Sequence, residues 1–114
     1  PSSAASDVYK RQEVILDSVN LIHPDEVAPE AQERVIRQAF EYYGDRISAL
    51  HVKDFVFDGQ NQLFRHVGEG LFCYEPLMQL IKEKKTHIPV LLENSSRERF
   101  RSDVAFLQEI YDRV

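Results

Sequence analysis

The chain contains 114 residues, of which 14 are Lys or Arg and 19 are Asp or Glu, so its formal net charge is −5. With 43% hydrophobic and 29% charged residues, the composition is typical of a soluble globular domain, and of one domain at most. The acidic balance argues against nucleic acid as a partner, and no apolar stretch approaches the roughly 20 residues of a membrane span. The single cysteine, Cys73, excludes a disulfide framework and favours a reducing, cytoplasmic location.

The first part of the chain differs from the rest in composition. Residues 1–12 (PSSAASDVYKRQ) are mostly small and polar and have no hydrophobic period. We therefore expect a non-native or disordered leader over residues 1–12, and we place the folded domain at residues 13–114.

The domain begins with two strands that flank a helix. Residues 14–16 (VIL) predict a short strand, and Asp17 follows it directly. Pro29–Tyr43 predicts a helix, because its apolar residues recur on one face and proline suits a first helical turn. Ile47–Val52 (ISALHV) predicts the second strand, which carries His51.

An excursion and a third strand follow. Residues 55–67 contain a polar turn with a glycine, and they predict an extended loop or small hairpin above the second strand. We expect this segment to hold no additional metal ligand. Residues 88–92 (IPVLL) predict the third strand, which Glu93 ends.

Two further helices are predicted from apolar residues at helical spacing. The expected buried face of the first consists of Tyr74, Leu77, Met78 and Ile81. The expected buried face of the second consists of Phe100, Val104, Leu107, Tyr111 and Val114. Ser95 and Glu98 have the spacing of a capping box ahead of this last helix.

The alternation of strands and helices predicts an α/β fold with a parallel sheet and right-handed crossovers. The strands are nearly continuous apolar runs, which predicts burial on both of their faces. In parallel α/β folds, functional residues lie at the C-terminal ends of the strands. Asp17, His51 and Glu93 all lie at or near such ends, and all three are residue types that bind metal ions.

Two carboxylates and an imidazole from neighbouring strands make a mixed oxygen and nitrogen site for a divalent ion. Each residue alone has an ordinary structural role, since Asp forms caps and turns and a strand His is usually hydrogen-bonded in a core. Together Asp17, His51 and Glu93 favour a metal site, and we expect their side-chain ends to lie within about 8 Å of one another. Such an ion stabilises the enediolate formed when a proton is taken from the carbon beside a carbonyl.

Four short motifs in chain order resemble those of the sugar phosphate isomerase/epimerase family, the xylose-isomerase-like barrels that include the L-xylulose-5-phosphate 3-epimerase and hydroxypyruvate isomerase types. Residues 17–21 (DSVNL) are similar to its D-x-x-N-L stretch, and residues 51–54 (HVKD) match its H-x-K-D motif. Residues 68–70 (GEG) match its G-E-G turn, and residues 91–94 (LLEN) its closing L-x-E strand.

The resemblance implies that residues 13–114 are the last three βα units, strands six to eight, of a partial (β/α)8 TIM barrel. It also implies one divalent ion (Mn, Mg, Co or Zn) held by Asp17, His51 and Glu93 together with a glutamate from strand five, which the sequence does not contain. Glu93 would be one of two catalytic glutamates that exchange a proton at a carbon of a sugar or sugar phosphate. The expected activity is that of a metal-dependent isomerase or epimerase, with this fragment alone inactive.

Further candidates lie in the loops. Expected substrate-binding residues are Lys53, which shares strand parity with His51, Arg65, which could clamp an anion, and His23, Asn94 and Ser95. Expected loop-organising residues are Asp54, Gly68, Glu69 and Gly70. The loops after strands seven and eight often bind phosphate in such barrels, which would add Gly68, Gly70, Asn94 and Ser95 to a phosphate site.

Two alternatives stay open at this point. One is the endonuclease-IV-like branch of the same superfamily, which acts on abasic DNA with three zinc ions. That branch needs Asp and His ligands ahead of its G-E-G turn, where this chain has Gln62 and Phe64, and phenylalanine cannot bind zinc. The other is a non-catalytic barrel fragment, because three βα units leave open sheet edges.

Overall fold

The computed structural model describes residues 13–93 and 95–114, so the predicted leader at residues 1–12 lies outside the described residues. Short 3-10 turns follow the first strand (Ser18–Leu21) and the first helix (Gly44–Arg46), and a third lies in the loop between them (Pro24–Glu26). Within the described residues the chain forms five strands and three α-helices. In chain order these are β1 (Val14–Asp17), α1 (Pro29–Tyr43), β2 (Ile47–Val52), β3 (Asp54–Asp58), β4 (Asn61–Arg65), α2 (Tyr74–Lys84), β5 (Val90–Leu92) and α3 (Phe100–Arg113).

A small parallel sheet forms the centre of this mixed α/β fold. Its strand order is β1-β2-β5, and both pairs of neighbours are parallel. The prediction of a parallel α/β arrangement is therefore confirmed. The third strand is shorter than predicted because Pro89 has no N–H to donate, although its carbonyl still accepts a bond of 3.0 Å from Leu50.

The helices pack on one face of this sheet only. Leu16 and Leu50 pair in register, and both are buried in a core with Ile36 and Leu77 from the helices. On the opposite face Ile15 is 58% exposed and Leu91 is 44% exposed. The prediction that the strands are buried on both faces is therefore wrong for the residues that the structure describes.

The excursion after β2 is an antiparallel hairpin, β3–β4, as the sequence predicted. Asp54 is fully buried at its base, and its Oδ1 accepts hydrogen bonds from the amides of Phe55 and Phe72 at 2.8 and 2.9 Å. Its Oδ2 accepts a bond of 2.6 Å from the hydroxyl of Tyr74. Asp54 thus joins the hairpin to the start of α2, because one carboxylate satisfies donors from both segments.

A buried glutamine fastens the same region to α1. Gln32 donates from Nε2 to the carbonyls of Val27 and Leu71, both at 2.8 Å, and its Oε1 accepts the amide of Cys73 at 2.9 Å. Gln32 is fully buried, and burying an unpaired amide is costly. These three hydrogen bonds therefore fix the path of the chain before α2.

The last helix departs from the prediction at its start and on its face. The Ser95 hydroxyl donates to Asp103 at 2.8 Å, so Ser95 does not cap the helix, and the Oγ of Ser96 accepts the amide of Arg99 instead. The predicted face is rotated, since Phe100 is 55% exposed and Ile110 is buried.

Within the described residues no helix combines the length and apolar character that crossing a bilayer requires.

The close packing around Asp54 predicts a sharp difference between two glycines. A Cβ on Gly70 would lie 2.3 Å from the carbonyl oxygen of Phe55 and 2.4 Å from Oδ1 of Asp54, whereas one on Gly59 meets nothing within 4 Å. Gly70→Ala should therefore lower the free energy of unfolding by about 3 kcal/mol or more, because it breaks a buried hydrogen-bond network. Gly59→Ala should cost about 1–2 kcal/mol, for its positive φ alone. Urea denaturation measures both, and equal losses would contradict the packing argument.

Candidate metal centre

Three potential ligands converge at the C-terminal edge of the parallel sheet. Asp17 ends β1 and pairs in register with His51 of β2, which in turn pairs with Leu91 of β5. Glu93 follows β5 directly, and its amide continues the ladder by donating to the carbonyl of Val52 at 2.9 Å. Since side chains alternate along a strand, all three ligands lie on the face that the helices do not cover.

The geometry meets the expectation of about 8 Å made from the sequence. Asp17, His51 and Glu93 each offer one ligand atom, and these atoms lie within 4.8 Å of one another. Nδ1 of His51 contacts Oε1 of Glu93 directly. Among residues 13–93 and 95–114 this is the one such group of three or more, so the β3–β4 hairpin adds no ligand to it.

The donor set fits a divalent ion. Bonds of about 2.0–2.2 Å place ligand atoms at most about 4.4 Å apart, so the three residues need to close by less than about 1 Å. Oδ1 of Asp17 is buried, and it has no hydrogen-bond partner in the part of the chain that the structure describes. A buried carboxylate oxygen without a donor is unusual in a folded protein, and a cation satisfies it.

Lys53 lies inside this group rather than at its margin. Its side chain is 5% exposed, and Nζ lies 3.0 Å from Oδ2 of Asp17 and 3.1 Å from Oε2 of Glu93. The ring of Phe64, from β4, lies 3.8 Å from the same nitrogen, measured to the ring centroid. The inward direction of Lys53 follows from its strand parity with His51, and its contact with substrate stays a prediction.

Hydrogen bonds and opposite charges within the group stabilise the charged forms of Glu93 and Lys53. The hydrogen bond from His51 lowers the pKa of Glu93 below its usual value of 4.5; partial burial opposes this shift, and Lys53 adds to it. Burial lowers the pKa of Lys53, but its hydrogen bonds to Asp17 and Glu93 outweigh burial and hold that pKa above 10.5. At neutral pH the site therefore contains a carboxylate at Glu93 and an ammonium at Lys53.

The structure does not bring the other predicted substrate-binding residues into the group. His23 is exposed, and its backbone amide donates to Oε1 of Glu26 at 3.0 Å. Arg65 is exposed and donates to the carbonyl of Phe64, and the Ser95 hydroxyl is bonded to Asp103. Asn94 lies outside the described residues.

The predicted loop-organising residues lie beside the hairpin. The amide of Gly68, whose φ is +85°, donates to the hydroxyl of Tyr74 at 2.9 Å. Glu69 forms an exposed ion pair with Arg99 at 3.1 Å, so it joins the G-E-G turn to the start of α3. Asp54 and Gly70 form the buried contact already described. A phosphate site at this turn stays a prediction. The nearby cation, Arg99, is already paired with the Glu69 carboxylate.

Two residues of the site were not among the sequence candidates. Nδ2 of Asn20 donates to Oδ2 of Asp17 at 3.1 Å and so orients that carboxylate. The signal for Asn20 was its D-x-x-N spacing, because a 3-10 turn over Ser18–Leu21 brings the residue three positions after Asp17 back toward it. Phe64 carries no such signal, since its position depends on the register of the hairpin.

Comparisons of the chain with protein-family models, with curated protein sequences and with solved structures found no match. The assignment of function therefore depends on the geometry above and on the motifs in the sequence.

The lowered pKa of Glu93 predicts a pH dependence of stability. A carboxyl group whose pKa is lower in the folded chain stabilises it above about pH 4.5, and this contribution is lost as the pH falls through the folded pKa. Glu93→Gln should therefore reduce the loss of stability between pH 7 and pH 3, measured by urea denaturation. Glu83→Gln, at an exposed position of α2, is the control and should follow the wild-type curve. Parallel curves for all three proteins would contradict a stabilising role of the Glu93 carboxylate.

Proposed function

We propose that this chain is part of a divalent-metal-dependent sugar or sugar phosphate isomerase or epimerase of the sugar phosphate isomerase/epimerase type. The observation that carries the proposal is the convergence of Asp17, His51 and Glu93 at the ends of three adjacent parallel strands. The four motifs of the resemblance contain all three residues, which links the geometry to the family's chemistry.

The apolar face of the sheet supports the further proposal of a partial (β/α)8 barrel. Ile15 and Leu91 lie on the same face as the ligands, below them along the strands, and both are substantially exposed. In a closed barrel this face is the interior, which bulky apolar side chains fill. The helices would then form the outer layer, as they do here around Leu16 and Leu50.

The residues of the site have different roles in the proposed reaction. Asp17 and His51 bind the ion, and Asn20 orients Asp17 through its hydrogen bond at 3.1 Å. When bound, the ion supplies Lewis acidity that polarises the carbonyl of the substrate. Glu93 both binds the ion and accepts the proton from the carbon beside that carbonyl, for which it must be deprotonated, as its lowered pKa ensures.

Metal binding by the chain itself is the first test. Wild-type protein should bind Mn²⁺ at a single site, measured by the loss of the free-ion signal in electron paramagnetic resonance. His51→Ala should abolish or strongly weaken this binding, because it removes the one nitrogen ligand. His87→Ala, at an exposed position before β5, is the matched control and should bind as the wild type does. Equal binding by all three proteins would contradict the proposed site.

The catalytic role of Glu93 is tested by exchange of the substrate proton with deuterated solvent, in the full-length protein at saturating metal. Glu93→Gln keeps the size of the side chain and one coordinating oxygen but removes the basic carboxylate, so exchange should fall about 10²–10⁴-fold. Glu69→Gln, which loses only the exposed contact with Arg99, should retain near wild-type exchange. Near wild-type exchange by Glu93→Gln would leave Glu93 as a ligand only.

A further inference from the structure

The two carboxylates of the site each present their oxygens to different partners. Nζ of Lys53 contacts Oδ2 of Asp17 at 3.0 Å and Oε2 of Glu93 at 3.1 Å. Lys53 does not contact the other two oxygens: Oε1 of Glu93 lies against Nδ1 of His51, and Oδ1 of Asp17 is buried with no partner among the described residues. The lysine thus bridges one oxygen of each carboxylate.

The surroundings of Lys53 fix its ammonium in this place. An ammonium has three N–H donors, and two of them are directed at Asp17 and Glu93. The face of the Phe64 ring, 3.8 Å away, lies against the same nitrogen, where a cation is attracted by the ring quadrupole. The hairpin that carries Phe64 is itself attached to the turn after β1, since Nε2 of Gln62 donates to the carbonyl of Val19 at 2.9 Å.

We propose that Lys53 is a positioning residue for the metal ligands: its ammonium, held against Phe64, ties one oxygen of Asp17 and one of Glu93 and so directs the remaining oxygens toward the ion. The inference rests on the proposed function, because it assumes that the group binds a divalent ion. It assigns Lys53 to the carboxylates rather than to the substrate, since the contacts named above already engage its ammonium.

Groups that orient metal ligands affect the affinity for the metal without touching it, and their loss commonly costs 10–100-fold. A lysine in this position also carries a positive charge near the ion, which opposes binding. The two effects have opposite signs. If Lys53 mainly orients the carboxylates, its removal weakens metal binding, and if it mainly repels the ion, its removal strengthens binding.

The test compares Lys53→Met with wild-type chain in Mn²⁺ affinity, measured by electron paramagnetic resonance. We expect Lys53→Met to bind Mn²⁺ about 10–100-fold more weakly. Lys84→Met, at an exposed position near the end of α2, should bind as the wild type does. Mn²⁺ binding by Lys53→Met that equals or exceeds wild-type binding would overturn the inference. In that case, loss of Mn²⁺ binding in His51→Ala would still support the metal centre. If wild-type chain binds no Mn²⁺, the proposed function fails as well.

A second measurement separates orientation from a general loss of structure. With saturating Co²⁺, the visible absorption bands of Lys53→Met should differ from those of the wild type, because a carboxylate released by the lysine coordinates differently. Phe64→Leu keeps the ammonium and changes an exposed side chain, so it should fold even if Lys53→Met does not. It should weaken Mn²⁺ binding less than Lys53→Met but measurably, and unchanged affinity and Co²⁺ bands in Phe64→Leu would overturn the part assigned to the ring.

Discussion

The register of the parallel ladder is the constraint on which the candidate site depends. Asp17 and His51 pair directly, and Glu93 follows a strand whose Leu91 pairs with the same histidine. Because side chains alternate with a period of two, a slip of one residue in any strand would turn its ligand toward the helices. The apolar contacts of Leu16 and Leu50 with the core hold the opposite face in place. Packing on one face of the sheet therefore determines where Asp17, His51 and Glu93 lie on the other.

The hairpin depends on a second, local constraint at its base. Asp54 follows Lys53 directly and has the opposite strand parity, so its side chain is buried on the other side of the chain while Lys53 enters the site. Its bonds to Phe55, Phe72 and Tyr74 join the two ends of the excursion. The close approach of the chain at this point leaves room for glycine alone at position 70. These contacts set the direction in which the hairpin leaves β2.

The sequence predicted those elements whose signal is local. The apolar run of β2 and the one-faced helix Pro29–Tyr43 were found with their bounds, and the parallel order followed from the alternation of strands and helices. The start of the last helix was missed because the hydroxyl of Ser95 has a better partner in Asp103, eight residues further on. The exposure of Ile15 was missed because an apolar run does not show which of its faces is covered.

For the site, the convergence of Asp17, His51 and Glu93 could be predicted because strand ends in a parallel sheet meet at one edge, which a sequence reveals once its strands are known. The contact of Phe64 with Lys53 could not, since it depends on the pairing of Phe55 with Phe64 across the hairpin. The lack of a partner for Oδ1 of Asp17 among the described residues could not be predicted either, because Lys53 and Asn20 both contact the other oxygen.

The balance of charge within the site explains why the lysine and the two carboxylates are stable together. A buried ammonium is costly unless it is paired, and Lys53 is paired with both Asp17 and Glu93. Two carboxylates against one ammonium leave an excess negative charge in the group. Oε1 of Glu93, which Lys53 does not contact, lies against Nδ1 of His51. The ion pairs that neutralise Lys53 therefore leave net negative charge among Asp17, His51 and Glu93, whose potential ligand atoms lie within 4.8 Å of one another, and such a charge favours a divalent cation.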